Sequence, residues 1–267
     1  MSFATRIFLP CITVCFLNPI VYAQKLPNKQ EKSLWAMQQP KFSDANQSYQ
    51  AYNSATEIFY SISNDDKNLY LEVKAAKPVI IQKIISYKLT FIITNLSDKK
   101  AKRTFAAKFP YLNLTDRQLV IRSVKSQTLK RDSMINILNK QVVPDAREIA
   151  VNNSLELKDS LVSVYNESGI KAACHFDNDM AYIYHLAIPF KLLNADAKSS
   201  DLKIGYQIKL NGIEENGVNA RLTADGRATI RSGASGYPGV IIENTPDTIA
   251  LDYPTDVSGE YILAKQP

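Results

Sequence analysis

Strict alternation of apolar and polar residues most constrains what this chain can fold into. The alternation is clearest over residues 56–75, where two runs flank a turn-forming segment at 64–68 rich in Asn and Asp. The alternating apolar positions are Ile58, Tyr60 and Ile62 in the first run, and Leu69, Leu71 and Val73 in the second. Because two half-buried strands are not stable alone, the rest of the chain must cover their apolar face.

The same two-residue period recurs along the chain. Further strands are predicted at 88–94, 104–109, 148–157, 161–165, 170–176, 182–188 and 204–210. Many short alternating strands at regular spacing are typical of a mainly β protein built as an antiparallel β-sandwich.

Two segments interrupt the strands, so we expect one or two short helices. Residues 79–85 follow Pro78 and place Ile81, Ile84 and Ile85 on one helical face, although a strand is an alternative here. Residues 129–141 carry apolar side chains, including Met134, at helical spacing, which predicts an amphipathic helix with Met134 filling the core.

The N-terminus has the pattern of a cleavable export signal. A positive residue, Arg6, precedes an apolar run that ends at Val21-Tyr22-Ala23, so we expect residues 1–23 to be a signal peptide cleaved after Ala23. The protein is then secreted or periplasmic, with no transmembrane segment after cleavage. We expect residues 24–50 to be a leader packing on a single domain at 51–267, with a loop-rich segment at 212–247.

Charge and cysteine content exclude some classes. Cys174 is the only cysteine beyond the signal, so no internal disulfide can form and stability must come from burial. The net charge of +6 is spread along the chain except at Lys99–Arg103. That run is interpreted either as a solvated hairpin tip or as a contact for an acidic polysaccharide or phosphate. A nucleic-acid partner is not predicted, because no aromatic interleaving or recognisable module accompanies the charge.

Two stretches resemble a known superfamily. Ser61–Leu71 and Tyr184–Leu193 are similar to the hairpin and the later strand of family 9 carbohydrate-binding modules and the related DOMON-like sandwiches. The chain also resembles a group of exported proteins from Bacteroidetes-type bacteria, through the Lys-rich turn before Phe109 and the C-terminal Tyr261–Lys265.

The resemblance implies a non-catalytic module that binds a carbohydrate or another cell-envelope component. A haem- or metal-binding DOMON-like redox module, using Met and His ligands, is the alternative that it implies, and His185 with Met180 or Met134 would be its haem ligands. Family 9 modules hold sugar on exposed tryptophans, which makes the single tryptophan, Trp35, a candidate ligand-binding residue. Tyr237, in a Gly-rich segment, is a second candidate because its ring would stack on a sugar.

Few residues suggest a metal or catalysis. His175, Asp177 and Asp179 alternate and are metal candidates, and a hydrated acidic turn is the simpler interpretation of the same residues. His185 is expected to be exposed, on the strand face opposite the core, and Cys174 to be a buried and inert thiol. No nucleophile elbow or acid/base pair is found, so we predict no catalytic residue, no cofactor and no enzymatic activity.

Overall fold

The computed structural model describes residues 34–35, 49–97, 104–126, 130–152, 160–193, 202–213, 218–222, 228–232, 240–242 and 250–265. The predicted signal peptide and most of the leader lie outside these residues. So do the basic run Lys99–Arg103 and the candidate Tyr237.

The described elements alternate short strands with a few helices. The strands are β1 Leu34–Trp35, β2 Ala51–Asn53, β3 Ile58–Asn64, β4 Asn68–Ala75, β5 Leu89–Asn95, β6 Thr104–Phe109, β7 Glu148–Asn152, β8 Leu161–Ser163, β9 Lys171–Phe176, β10 Tyr182–Pro189, β11 Lys203–Leu210, β12 Val218–Leu222, β13 Ala228–Ser232, β14 Val240–Ile242 and β15 Thr255–Ile262. The α-helices are α1 Pro78–Tyr87, α2 Leu114–Lys125 and α3 Arg131–Ile137, and α3 continues into a π turn, Leu138–Val142, and a 3-10 turn, Val143–Asp145. A further 3-10 turn, Phe190–Leu193, follows β10.

Two six-stranded sheets form the sandwich. Sheet A has the order β1-β3-β4-β10-β9, and β2 also pairs with β3; sheet B has the order β15-β11-β5-β6-β7-β8. Neighbouring strands are antiparallel except β1 and β3, which pair in parallel. The β3–β4 hairpin is closed by the Asp65 carboxylate, which accepts hydrogen bonds from the backbone N–H groups of Lys67 (2.7 Å) and Asn68 (2.6 Å). The predicted fold class and hairpin are therefore confirmed.

The core lies between the sheets. The alternating residues of both sheets bury their side chains in one cluster, with Leu71 and Phe91 fully buried. Aromatic pairs connect the layers: the rings of Phe109 and Tyr184 lie 5.7 Å apart, and the hydroxyl oxygens of Tyr60 and Tyr206 lie 3.4 Å apart. Large aromatic and branched side chains on both inner faces provide the apolar burial that holds the layers together.

Helices cover parts of the sandwich that strands leave open. Helix α1 runs from β4 of sheet A to β5 of sheet B and buries Ile80, Ile81, Ile84 and Ile85, which confirms the predicted helix. Helix α2 begins at Asn113, whose side chain accepts a hydrogen bond from the Asp116 N–H (2.9 Å). Polar residues outnumber apolar ones in this helix, so the apolar patterning of the sequence did not predict it.

The segment predicted to be loop-rich, 212–247, contains strands. Strands β12, β13 and β14 pair antiparallel as a small third sheet. Most of the segment between these strands lies outside the described residues, so the loop-rich character of 212–247 stays a prediction. Among the described residues, no helix is both long and apolar enough to cross a membrane.

Candidate functional site

The outer face of sheet B carries a groove. The strand register places Lys209, Thr90, Lys108 and Ala150 in one row across β11, β5, β6 and β7. The adjacent row places Ile92 of β5 next to Ala106 of β6, and Ala106 next to Asn152 of β7. All of these side chains point away from the core, because their strand neighbours are the buried residues of the inner face.

The groove has a volume of about 710 Å³. Its floor is apolar and shallow, since Ala106 and Ala150 carry only methyl groups beside Ile92. Lys108 and Lys209 flank it, and the aromatic ring of Tyr111 lines it where the chain leaves β6. Short side chains between longer ones leave a depression on an otherwise flat sheet.

A hydrogen-bonded asparagine fixes one end of the groove. The Asn211 amide donates to the Tyr87 carbonyl (3.0 Å), the Lys88 carbonyl (3.2 Å) and the Thr90 hydroxyl oxygen (2.9 Å). Asn211 is 2% exposed and Thr90 is 8% exposed. This end is therefore rigid, and Thr90 is held between the two lysines of its row.

The electrostatics of the same end are dominated by cations. Lys88 Nζ lies 5.2 Å from the centroid of the Tyr111 ring. The pKa of Lys88 is lowered, first by burial and then by the positive charges of Arg117 and Lys108. Burial raises the pKa of Tyr111, with a smaller contribution from the carboxylate of Glu148. Arg117 and Lys108 thus act on Lys88 at this end, and the carboxylates of Glu148 and Asp252 lie nearby.

The outer face of sheet A is different, and one prediction for it was wrong. His185 points away from the core as expected, but it is 2% exposed rather than solvated. Its Nδ1 atom lies 3.4 Å from Oε1 of Glu72, which is 5% exposed, and its ring stacks on His175 at 5.6 Å. Strand β10 is central in sheet A and is buried on both faces, a situation that alternation alone does not reveal.

The three metal candidates are not grouped as ligands. Asp177 accepts hydrogen bonds from Lys74 Nζ (2.7 Å) and from the N–H groups of Ala181 (2.8 Å) and Asp179 (2.9 Å). Burial disfavours the charged form of Asp177, but the Lys74 hydrogen bond leads the contributions that lower its pKa overall. His175 instead stacks on His185. Within the described ranges, no three His, Cys, Asp or Glu side chains are arranged to hold a metal ion. The acidic residues close the β9–β10 turn, and metal binding by them stays a prediction.

Other candidates lie apart from the groove. Trp35 is in β1, where it pairs with Asn64 of β3 at the edge of sheet A. Met134 and Met180 line a second cavity of about 790 Å³ between the helices and the β9–β10 turn; His185 is not among the described residues that line it. Cys174 is buried in the core as predicted, and burial raises the pKa of its thiol to about 12.

The groove residues were missed by sequence reasoning. Lys108, Lys209 and Tyr111 occupy positions that a two-residue period assigns simply to a solvated strand face. The available signal was the pair of alanines, Ala106 and Ala150, at outward positions where long polar residues are more common. That signal becomes informative only when the register places both alanines beside Ile92.

Comparisons with known proteins give a distant likeness in structure. No protein-family model matches it, and no curated protein matches it. Among solved structures it is similar to a carbohydrate binding module family 9 (CBM9) from Caldicellulosiruptor kristjanssonii in complex with glucose. The two share 10% sequence identity over 88% of this chain and 97% of that chain, with a TM-score of 0.31. A likeness at this level carries no argument about ligand or function. The β-sandwich class follows from the two sheets described above, and the closer resemblances stay predictions.

Proposed function

We propose that this protein is a non-catalytic, exported β-sandwich module that binds a carbohydrate, free or as part of the cell envelope, in the groove on the outer face of sheet B. The observation that carries the proposal is the combination of an apolar floor, an aromatic ring and a polar rim in one depression of about 710 Å³. Ligand pockets in proteins have this range of volumes and this mixture of apolar surface and a few polar groups.

The lining suits the two kinds of surface that a sugar ring presents. Its C–H groups pack on Ile92 and on the Tyr111 ring, and its hydroxyl groups exchange hydrogen bonds with the rim. Lys108 and Lys209 supply donors, and Asn152 supplies both a donor and an acceptor. Export is predicted by the N-terminal sequence and brings the module to the compartment where polysaccharides are found.

Filling the floor of the groove tests the proposal. Ala106→Leu adds bulk between Ile92 and Asn152, so it should abolish glycan binding measured by isothermal titration calorimetry against a panel of neutral and acidic oligosaccharides. The matched control is Ala173→Leu, at a half-buried outward position of sheet A, which should bind as the unaltered protein does. Circular dichroism checks that both variants fold.

Absence of binding to every glycan in the panel would refute the proposed function. Equal binding by the unaltered protein and the Ala106→Leu variant would refute the proposed place.

A further inference from the structure

We infer that the groove selects a negatively charged saccharide, whose carboxylate or sulfate group is held between Lys108 and Lys209. This inference rests on the proposed function and specifies its ligand class. It follows from the placement of charge over the floor rather than from the shape of the groove.

The two lysines form a pair across the sheet. Both stand in the row of Thr90, one strand to either side, and neighbouring strands are about 4.8 Å apart. Their backbones are therefore roughly 10 Å apart, a span that long flexible ammonium side chains close around a single anionic group. The Thr90 hydroxyl lies between them and is oriented by Asn211.

Both charged side chains among the described residues that line the groove are lysines, Lys108 and Lys209. Lys88 lies at the Tyr111 end, where burial and then the charges of Arg117 and Lys108 lower its pKa. The nearby acidic groups stand outside that lining: Glu148 lies beside Tyr111, Asp252 beside Tyr87, and Asp256 is opposite Lys209 in the register and accepts a hydrogen bond from Gln207 (2.9 Å). The described lining thus carries two ammonium groups and no carboxylate, which favours an anion in the groove.

The floor distinguishes a charged sugar from a simple ion. Phosphate or sulfate alone would leave Ile92, Ala106 and the Tyr111 ring uncovered, whereas a sugar bearing an acid group covers the apolar surface and meets the lysines together. Carboxylate and sulfate groups on sugars offer the same charge-assisted acceptors, so the structure assigns the shared chemistry and the experiment separates the two sources.

The test measures affinity for three classes of oligosaccharide at low and moderate salt. The probes are cello-oligosaccharides as the neutral class, oligogalacturonates as carboxylated sugars and chondroitin sulfate oligosaccharides as sulfated sugars. We expect one or both acidic classes to bind at least about tenfold more tightly than the neutral class, with an affinity that falls as salt increases.

Charge-removing variants locate the effect. Lys108→Gln combined with Lys209→Gln should lower affinity for the acidic sugar by at least about tenfold, equivalent to about 1.4 kcal/mol, and flatten its salt dependence. Lys108→Arg should retain most of the affinity because it retains the charge. Lys171→Gln removes a charge at an exposed position on the outer face of sheet A, and it should leave both the affinity and its salt dependence unchanged.

The outcomes separate the two hypotheses. Binding of neutral sugars with equal or greater affinity overturns the inference and leaves the proposed function standing. Failure to bind any of the three classes of oligosaccharide overturns both the inference and the proposed function. Displacement of the acidic sugar by equimolar inorganic sulfate also overturns the inference, since the site would then bind an ion only.

Discussion

Replacing Asn64 with alanine should be one of the more damaging single changes to stability outside the apolar core. Asn64 ends β3 and is 2% exposed. Its Oδ1 atom accepts hydrogen bonds from the Tyr261 hydroxyl (2.8 Å) and the Ala264 N–H (2.8 Å), and its Nδ2 atom donates to the carbonyls of Ala264 (3.0 Å) and Asp65 (3.1 Å). One side chain thus attaches the first hairpin of sheet A to the last strand of sheet B and the segment that follows it.

The expected loss can be worked from these contacts. Three of the four bonds cross between the sheets, and each bond of this kind contributes about 1 kcal/mol net. Asn64→Ala should therefore lower the free energy of unfolding by about 3 kcal/mol, and more where a buried partner finds no replacement. For a domain of this size that corresponds to a fall in Tm of about 6–12 °C.

Urea denaturation followed by circular dichroism measures the effect. Tyr261→Phe removes only one of the bonds and should cost about 1 kcal/mol, and the double variant should cost about 1 kcal/mol less than the sum of the single changes. Asn152→Ala, at an exposed strand end, is the control and should stay within about 0.5 kcal/mol of the unaltered protein. A loss below about 1 kcal/mol for Asn64→Ala would show that these bonds do not hold the two sheets together.

Three further changes test other parts of the fold. Burial lowers the pKa of Lys83 to about 8, so between pH 8 and about 10.4 the unfolded state holds a proton on this side chain that the folded state has released. Relative to Lys83→Met, the free energy of unfolding of the unaltered protein should therefore rise with pH over that window. Parallel pH profiles for the two proteins would contradict this. The Cys174 thiol, with its pKa raised to about 12, should react with a thiol reagent such as DTNB only after denaturant is added, and rapid reaction of the folded protein would contradict its burial. A methyl group on Gly259 would lie 2.6 Å from the Tyr206 hydroxyl oxygen, so Gly259→Ala should lower the free energy of unfolding by about 1–3 kcal/mol, measured by thermal or urea denaturation. Adding Tyr206→Leu should recover part of that loss. If the losses of the two single variants simply add in the double variant, the Tyr206 ring is not the cause.

The inner faces of the sandwich could be predicted from sequence because burial between two sheets imposes a period of two. Ile58, Tyr60 and Ile62 are all at most 4% exposed, and the β10 residues Tyr182 and Tyr184 are fully buried. Each inward position removes a large side chain from water, so the pattern is strong and is repeated in every long strand. Helix α1 was predicted because its burial likewise imposes a pattern: its isoleucines must share one helical face, at a period of about 3.6 residues.

The remaining features depend on tertiary context that the pattern does not contain. Helix α2 buries little, with Val120 as its main apolar contribution, so it leaves a weak periodic signal. Strands β12 to β14 pair with one another in a sheet of their own and are too short for alternation to stand out. The burial of His185 depends on its strand being central and covered on both faces, which requires the strand order rather than the local sequence.

The difference between the two outer faces explains why a ligand would choose one of them. On sheet A, the central outward residues such as Tyr70, His185 and Ile183 are at most 6% exposed, so little accessible surface remains there for a ligand. On sheet B, outward positions carry small residues between two lysines, and the surface between them stays open. A binding partner must remove water from apolar surface that is still accessible, and it gains most where charge of the opposite sign is fixed beside that surface. Of the described outer surfaces of the two large sheets, only the one formed by β11, β5, β6 and β7 meets both conditions, which is why the charge on Lys108 and Lys209 is the feature whose removal should matter most.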